Sequence, residues 1–346
     1  MRVLITGGAG FIGCNVAKRF LDKKAAVVIL DNLSRKGTDK NLNWLKACAN
    51  NKNLTFIRGD VCNNQLMDLL FRKSGVGEID LVFHMAAQVA VTTSVANPRE
   101  DFEINTVGTF NLLEAIRNSK QKPIIINAST NKVYGKMELA KVVKKRTRYE
   151  YKNLRLGISE KIPLDFYSPY GCSKGAADQY VLDYSRIYGL NTINFRQSCI
   201  YGPRQFGIED QGWVAHFIIS AIFGKPITIY GDGKQVRDIL FIDDLMDAFL
   251  LAVENIEISC GKVYNIGGGC SNSISLLEFV DLLEKQLSKK IQLKFSDWRP
   301  GDQKIYISDT RRAQKDFGWK PKIDVKKGIG LLIEWVKENR KLFDDF

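Results

Sequence analysis

Tyr170 and Lys174 lie four residues apart in SPYGCSKGAADQY (168–180), a stretch that reads as the opening of a helix. Positions four apart share a helix face, so a phenol and an ammonium stand side by side there. A free phenol ionises near pH 10, and bringing that value to about 7 requires ~4 kcal/mol. A cation about 4 Å away supplies roughly that much at an effective dielectric near 20. Lys174 is therefore expected to acidify Tyr170, which could then take a proton from an alcohol at neutral pH. Thr130, in NASTNKVYG (127–135), closes a run that begins at Pro123 and reads as a strand. Its hydroxyl falls at the strand's carboxyl end, where it could orient that alcohol. Thr130, Tyr170 and Lys174 together form a candidate proton-transfer set. A Tyr–Lys pair alone is also what a plain solvated helix surface carries.

A second group of residues suits phosphates. TGGAGFIG (6–13) lies between the short apolar run RVLIT (2–6) and the helical-looking FIGCNVAKRFLDKK (11–24). Gly7 allows a tight turn, Gly10 lets backbone approach a pyrophosphate, and Gly13 lets the helix pack on the strand. The helix start then faces the phosphates. Asp31 ends the next apolar run, AAVVILD (25–31), where a carboxylate accepts from the adenosine ribose hydroxyls and favours NAD over NADP. Arg35 and Lys36 stand nearby, where a cation could instead meet a 2′-phosphate. Asp60, ending a third run, is a candidate adenine contact and equally an ordinary strand-end carboxylate.

The elements needed to position these groups alternate along the chain. Strands are expected near LTFIRGD (54–60), IDLVFHMA (79–86) and PIIINAS (123–129). Helices are expected near NQLMDLLFRK (64–73), FEINTVGTFNLLEAIRNS (102–119) and YGCSKGAADQYVLDYSRIYG (170–189). Strands alternating with helices imply βαβ units and a parallel sheet. The expected fold is α/β: a Rossmann-type doubly wound parallel sheet over 1–196, to which 237–268 returns, with a smaller mixed α/β substrate-binding domain over 197–346. Ligands of such sheets bind outside the carboxyl ends of the strands.

Composition narrows the class. The 346 residues are 45% hydrophobic and 26% charged, as in an ordinary soluble protein. The longest apolar run, VAHFIISAIFG (214–224), is too short to span a bilayer, and MRVLITGG does not resemble a signal peptide. Seven scattered cysteines, with no CxxC pair and no metal-type spacing, suit a reducing cytoplasm. The two histidines, His84 and His216, are too few for a histidine metal site and are expected to be packing residues. A net charge of +13 favours anionic partners. No nucleic-acid motif accompanies it, so a small anionic substrate is expected rather than nucleic acid or membrane. The basic stretch KVVKKRTRYEYK (141–152) is expected to be a solvated excursion.

These motifs resemble the extended short-chain dehydrogenase/reductase family. The resemblance covers nearly the whole chain and rests on TGGAGFIG, DNLSRKG, GDV, MAAQ, EINTVGTFNLLEA, YGCSK, YGPRQ, QVRDILFIDDL, YNIGGG and RPGDQ. It implies an enzyme that binds NAD and a nucleotide sugar, and a homo-oligomer, dimer or tetramer. The implied catalytic residues are Thr130, Tyr170 and Lys174. The implied cofactor positions are Gly7, Gly10, Phe11, Ile12, Gly13, Asp31, Asn32, Ser34, Arg35, Asp60, Val61, Ala86, Ala87, Gln88, Asn105 and Ser129, with Tyr170 and Lys174. Substrate candidates are Thr93, Ser94, Thr130, Asn131, Arg204, Gln211 and Trp213. Arg237 and Arg299 are suited to clamp a diphosphate bidentately, though each has an aspartate close by (Asp238, Asp302) for a structural ion pair.

Within the family, AAQVAVTTS, STNKVYG, LDFYSPYGCSKGAADQY and YGPRQFGIEDQGWV are most similar to epimerases acting at carbon 2 of CDP-linked dideoxyhexoses. That similarity implies transient oxidation of the sugar by bound NAD, followed by hydride return to the opposite face. Family dehydratases carry an Asp–Glu pair after the catalytic Ser/Thr, where this chain has Asn131 and Lys132. Many relatives have asparagine where this chain has Cys199. A UDP- or GDP-hexose 4-epimerase, a sugar-nucleotide reductase and an inactive NAD-binding regulator remain open on the same scaffold.

Overall fold

The computed structural model of the protein describes residues 1–49, 52–72, 75–299 and 301–344. Lys73 of the second expected helix and Pro300 of RPGDQ lie outside the described residues. The chain opens with β1 (Arg2–Thr6), α1 (Phe11–Asp22), β2 (Ala26–Asp31), α2 (Thr38–Ala49), β3 (Leu54–Arg58), α3 (Asn64–Phe71) and β4 (Leu81–His84). Next come α4 (Val91–Ala96), α5 (Pro98–Phe102), a π-helical turn (Glu103–Val107), α6 (Gly108–Asn118) and β5 (Ile124–Thr130). A 3-10 turn (Asn131–Tyr134) and the hairpin β6 (Val142–Lys144) and β7 (Tyr149–Tyr151) lead to α7 (Pro169–Tyr188) and β8 (Asn191–Gln197). The second half holds β9 (Ile200–Tyr201), α8 (Trp213–Ile222), β10 (Ile227–Tyr230), β11 (Val236–Asp238), β12 (Leu240–Phe241), α9 (Ile242–Glu254) and α10 (Ile256–Ser259). It ends with β13 (Lys262–Ile266), β14 (Ser273–Ser275), α11 (Leu276–Leu287), β15 (Leu293–Ser296), β16 (Ile305–Tyr306), α12 (Arg311–Phe317) and α13 (Val325–Glu338).

Seven strands form the central sheet in the order β13-β8-β5-β4-β1-β2-β3, and every pairing is parallel. Period-2 alternation sends the two faces of each strand into different cores. Val3, Ile5, Phe83 and Phe195 pack with residues of α1, α8 and α9, while Leu4, Val28, Val82 and Ile125 pack with α3, α6 and α7. β1, β2 and β4 are apolar almost throughout, as strands buried on both faces tend to be, whereas β8 (NTINFRQ) buries Asn194 and Arg196 by bonding them to Asn127 and Asp178. The chain leaves β1 toward β2 and β3, then crosses back to β4 and β5. The crevice at that reversal lies at the carboxyl ends of β1 and β4, where the glycine loop sits.

Smaller sheets make up the remainder: β14-β11-β16, β10-β15 and β12-β9. Of the stretch 237–268, β13 supplies the seventh strand of the central sheet and α9 packs on α1, whereas β11 belongs to the small sheet. The basic stretch 141–152 is more than the solvated excursion expected of it. Lys141, Lys144, Lys145 and Arg146 are exposed, but Tyr149 is buried with Val236 and Ile305. The Tyr149 N–H donates to Lys234 O at 2.9 Å, and its hydroxyl donates to Asp232. The tyrosines of that run anchor it, a feature its charge density conceals. Among the described residues, no helix is long and apolar enough to cross a membrane.

Candidate active site

The glycine loop is packed tightly enough to exclude side chains. Gly7 has φ +65°, and a Cβ there would lie 2.6 Å from Ala86 N. A Cβ on Gly13 would collide with Gly7 O, while one on Gly10 would meet only Gly7 O, at 3.2 Å. Gly10 therefore borders open space. It is also the N-cap of α1, and no side chain caps that helix. Uncapped N–H groups of the first turn, where Phe11 and Ile12 are half-buried, are free for an anion. Asp31 is buried beside the loop and accepts from Ala9 N (2.9 Å) and Leu33 N (2.8 Å). Burial raises its pKa, and those N–H groups oppose the rise. Asp60 accepts from Asn32 Nδ2 (2.8 Å) and Cys62 N (2.9 Å). Burial pushes its carboxyl up, but these bonds hold it below the usual carboxylate range. Ser34 is exposed, Val61 is buried, and Ala86 and Ala87 are half-buried along the loop that leaves β4. An uncapped helix start, a glycine cradle and a buried carboxylate fit a dinucleotide.

Arg35 departs from the expectation of a residue near a 2′-phosphate. Its Nη2 donates to Gln211 Oε1 at 2.7 Å, across the cleft, and Tyr170 and Asp31 both act on its charge. The guanidinium is thus engaged by Gln211 while still within reach of the charge of Asp31.

Thr130 and Tyr170 meet at the start of α7, with Lys174 one turn further along the same helix. Ser168, the N-cap of α7, accepts from Gly171 N at 3.2 Å, and Pro169 opens the helix. Tyr170 N donates to Ser94 Oγ at 3.1 Å, so buried Ser94 holds the tyrosine's backbone. Thr130 accepts from Lys132 N (3.2 Å) and donates to Asn131 Oδ1 (3.3 Å), with the Tyr170 phenol beside it. The expected acidification of Tyr170 by Lys174 is not what the structure shows. Burial pushes the phenol up to about 12; the Thr130 hydroxyl and Arg35 oppose the rise, and Asp101 adds to it. Lys174 is itself buried, and burial pushes it down to about 8 against the pull of Asp178 and Asp101. The single-cation arithmetic omitted desolvation of both partners.

Behind this set lies a polar layer that the sequence motifs did not reveal. Buried Asp101 accepts from Ser173 Oγ (2.5 Å), Gln88 Nε2 (2.9 Å) and Asn105 Nδ2 (3.1 Å). Asn105 also accepts from Gln88 N at 3.0 Å. Asn105 and Gln88 thus shape the loop after β4 through its backbone. Asp178 pairs with Arg196 at 2.8 Å, both buried, and accepts from Ser129 Oγ at 2.6 Å. The Ser129 hydroxyl is consequently committed to α7, away from the cofactor cleft where it was expected to act. Asp178 could have been found, since it lies four residues past Lys174 on the same helix. Asp101 could not, because only tertiary packing brings α5 to α7.

The expected substrate residues divide. Half-buried Arg237 lies near Lys132 and Cys199. Arg299 stacks over the Tyr230 ring at 3.6 Å and pairs with Asp210 at 3.1 Å, not with Asp302. Trp213 packs edge-on against Phe217 and Phe279, and its N–H, without a full hydrogen-bond partner, lies by the Cys199 thiol. Cys199 has φ 39°, an uncommon backbone for a non-glycine residue. Thr93 is exposed. Arg204 is not brought to the site: its guanidinium stacks over Trp44 at 4.2 Å and lies 5.6 Å from Trp335. His84 is buried, hydrogen-bonded to Thr6 (2.8 Å) and Thr109 (3.0 Å), and neutral because burial and then Lys174 push it down to about 3.

A cleft of about 380 Å³ borders the site, lined in part by Gly135, Tyr167, Arg299 and Gly301. A larger depression of about 580 Å³ between α1 and α9 has no chemistry of this kind. Its charges pair with each other, as Lys18 does with Asp22 and Lys322 with Asp247, each at 2.6 Å.

The doubly wound sheet, the glycine cradle and the Thr–Tyr–Lys set define a Rossmann-type short-chain dehydrogenase/reductase. Residues 4–331 match the family described as GDP-mannose 4,6 dehydratase, and the chain belongs to that family. It is 44% identical to CDP-paratose 2-epimerase of Salmonella typhi, over 97% of this chain and 99% of that one. UDP-glucuronic acid 4-epimerase from Bacillus cereus, solved with UDP-glucuronic acid and NAD, superposes with a TM-score of 0.82 at 29% identity, covering 98% of this chain and 99% of that one. The dTDP-glucose 4,6-dehydratase DesIV from Streptomyces venezuelae, solved with NAD, gives a TM-score of 0.84 at 27% identity, covering 100% and 99%.

Proposed function

We propose that this chain is an NAD-dependent nucleotide-sugar epimerase that converts CDP-paratose to CDP-tyvelose at carbon 2. The observation that carries the proposal is the meeting of the Thr130 hydroxyl with the buried Tyr170 phenol, at the carboxyl end of β5. The similarity to CDP-paratose 2-epimerase favours the CDP sugar and carbon 2. Elimination of water, as in the dehydratases, lacks support because Asn131 and Lys132 offer no carboxyl beside Thr130.

Gly7, Gly10, Gly13 and the start of α1 would hold the cofactor's diphosphate, and Asp31 the adenosine ribose. When bound, NAD supplies the acceptor and donor of a hydride. Thr130 orients the sugar hydroxyl. Tyr170 would take that hydroxyl's proton and later return it, its ionisation favoured over that of the buried phenol alone by the positive charge of oxidised nicotinamide when NAD is bound, with Lys174 one turn along α7. Arg237 and Arg299 hold the diphosphate. Residues 1–196 with α9 and β13 carry the cofactor, and the rest of 197–346, Arg237 on β11 included, carries the sugar nucleotide. Seven free cysteines suit a cytoplasmic setting. The protein assembles as a homo-oligomer.

The test is direct. The purified protein, denatured and assayed for released NAD, should contain it without any having been added. Incubated with CDP-paratose, it should give CDP-tyvelose with no solvent deuterium at carbon 2 in heavy water. More efficient conversion of UDP-galactose to UDP-glucose would overturn the assignment.

A further inference from the structure

Lys132 is the least explained charge near the site. It belongs to the 3-10 turn that leaves β5, and its N–H donates to Thr130 Oγ1 at 3.2 Å. Its ammonium reaches only a neutral group, Gly301 O, at 3.1 Å. Among the described residues, no carboxylate comes within ion-pair distance of it, although Asp302 attracts it from farther away. Facing it from β11 is Arg237, whose Nη1 donates to the backbone carbonyl of Val236 at 2.8 Å. Cys199, after β8, faces the same point. Both side chains are half-buried, and two like charges acting on each other there are unfavourable unless an anion comes between them. Burial, followed by the repulsion of Arg237, pushes the lysine down to about 8, as expected of a cation whose counter-ion must come from outside.

We propose that Lys132 and Arg237 together seat the sugar-linked phosphate of the nucleoside-diphosphate substrate, with Lys132 as a ligand the motifs did not suggest. The phosphate next to the sugar is the one within reach. Lys132 is two residues from Thr130, and Thr130 must touch the sugar hydroxyl. A phosphate there satisfies both cations and leaves the Gly301 contact as a support. The inference rests on the nucleotide-sugar reading above, but not on the base or the carbon that reacts.

Titration calorimetry with CDP, CMP, UDP and UMP tests it on the protein as purified. CMP and UMP lack the second phosphate, which is the sugar-linked one in the substrate. Lys132→Met should weaken CDP and UDP roughly 10- to 100-fold and leave CMP and UMP unchanged. Lys132→Arg should restore most of the diphosphate affinity, and both variants should keep the wild-type complement of NAD. If Lys132 only latched the loop at Gly301, Lys132→Met would weaken mono- and diphosphates alike, which overturns the proposal. Equal CDP affinity in wild type and Lys132→Met overturns it as well. A wild-type protein that binds neither CDP nor UDP overturns the nucleotide-sugar reading together with this one.

Discussion

Tyr170 and Lys174 are both held in their neutral-leaning direction by burial, and that has consequences for single residues. Tyr170→Phe removes the proton acceptor, so turnover should fall by roughly 10²–10⁴. Bound NAD and the affinity for CDP should stay as they were. Near-normal turnover of the Phe variant would remove Tyr170 from the chemistry. Lys174 makes a prediction about stability. Its value of about 8 lies below the ordinary 10.5, so the unfolded chain binds the proton more tightly. Below pH 8 the cost of the buried charge is fully present, and it is relieved as pH rises from about 8 toward 10.5. Lys174→Met should therefore melt higher than wild type at pH 7, and the gap should narrow by pH 10, while turnover is lost. Calorimetric scans across that range check it; a lower melting temperature at pH 7 would mean that Asp101 and Asp178 need the cation more than burial disfavours it. At this scale the sequence was legible where chemistry is local. Thr130, Tyr170 and Lys174 announce themselves by spacing and position. Arg204 misled because its two tryptophans, Trp44 and Trp335, come from distant parts of the chain.

Among the elements, one turn does more positioning than its length suggests. The segment 102–119 reads as a single helix, yet residues Glu103–Val107 form a π turn between α5 and α6. Each extra residue in such a turn shifts the faces on either side, and π turns concentrate at functional sites. Here the turn lets Asn105 and Thr106 reach Ser173 on α7, at 3.1 and 3.0 Å, while Asn105 also accepts from Gln88 N. Hydrophobic periodicity could not reveal this, because the apolar pattern resumes on the far side of the turn. Asn105→Ala should cost about 1–3 kcal/mol by leaving the half-buried Gln88 N–H without its acceptor and removing one donor from buried Asp101. Denaturant titration should show that loss, and NAD retention should weaken, because the loop after β4 lines the cofactor cleft. An unchanged midpoint together with full NAD content would show that the turn is incidental. The apolar strands β1 to β5 were legible to within about two residues, whereas β8 (NTINFRQ) was not, because it buries polar side chains that pair with Asn127 and Asp178.

For the whole molecule, the open question is what covers the outer face of α6 and α7. Phe110, Tyr180, Ile187 and Tyr188 are 38%, 44%, 62% and 50% exposed. With Tyr184 the rings form a ladder: Phe110–Tyr180 at 5.6 Å, Tyr180–Tyr184 at 6.3 Å and Tyr184–Tyr188 at 4.8 Å. A contiguous aromatic patch on a single chain marks an interaction surface. Two helices side by side can pair with the same two helices of a second copy about a two-fold axis, because an isologous contact needs one patch only. Each copy carries +13, so pairing brings like charge together. Association should therefore strengthen as salt rises from about 0.05 to 0.5 M, where the Debye length falls well below 20 Å. Sedimentation velocity should show a dimer that tightens over that range. Tyr188→Glu with Ile187→Asp should give a monomer that keeps its NAD, because neither side chain reaches the cleft. A monomer at every salt concentration, or a dimer indifferent to both substitutions, would remove this face as the contact. The sequence could point to an oligomer only by family likeness; the patch becomes visible once folding sets α6 beside α7 and leaves these rings uncovered.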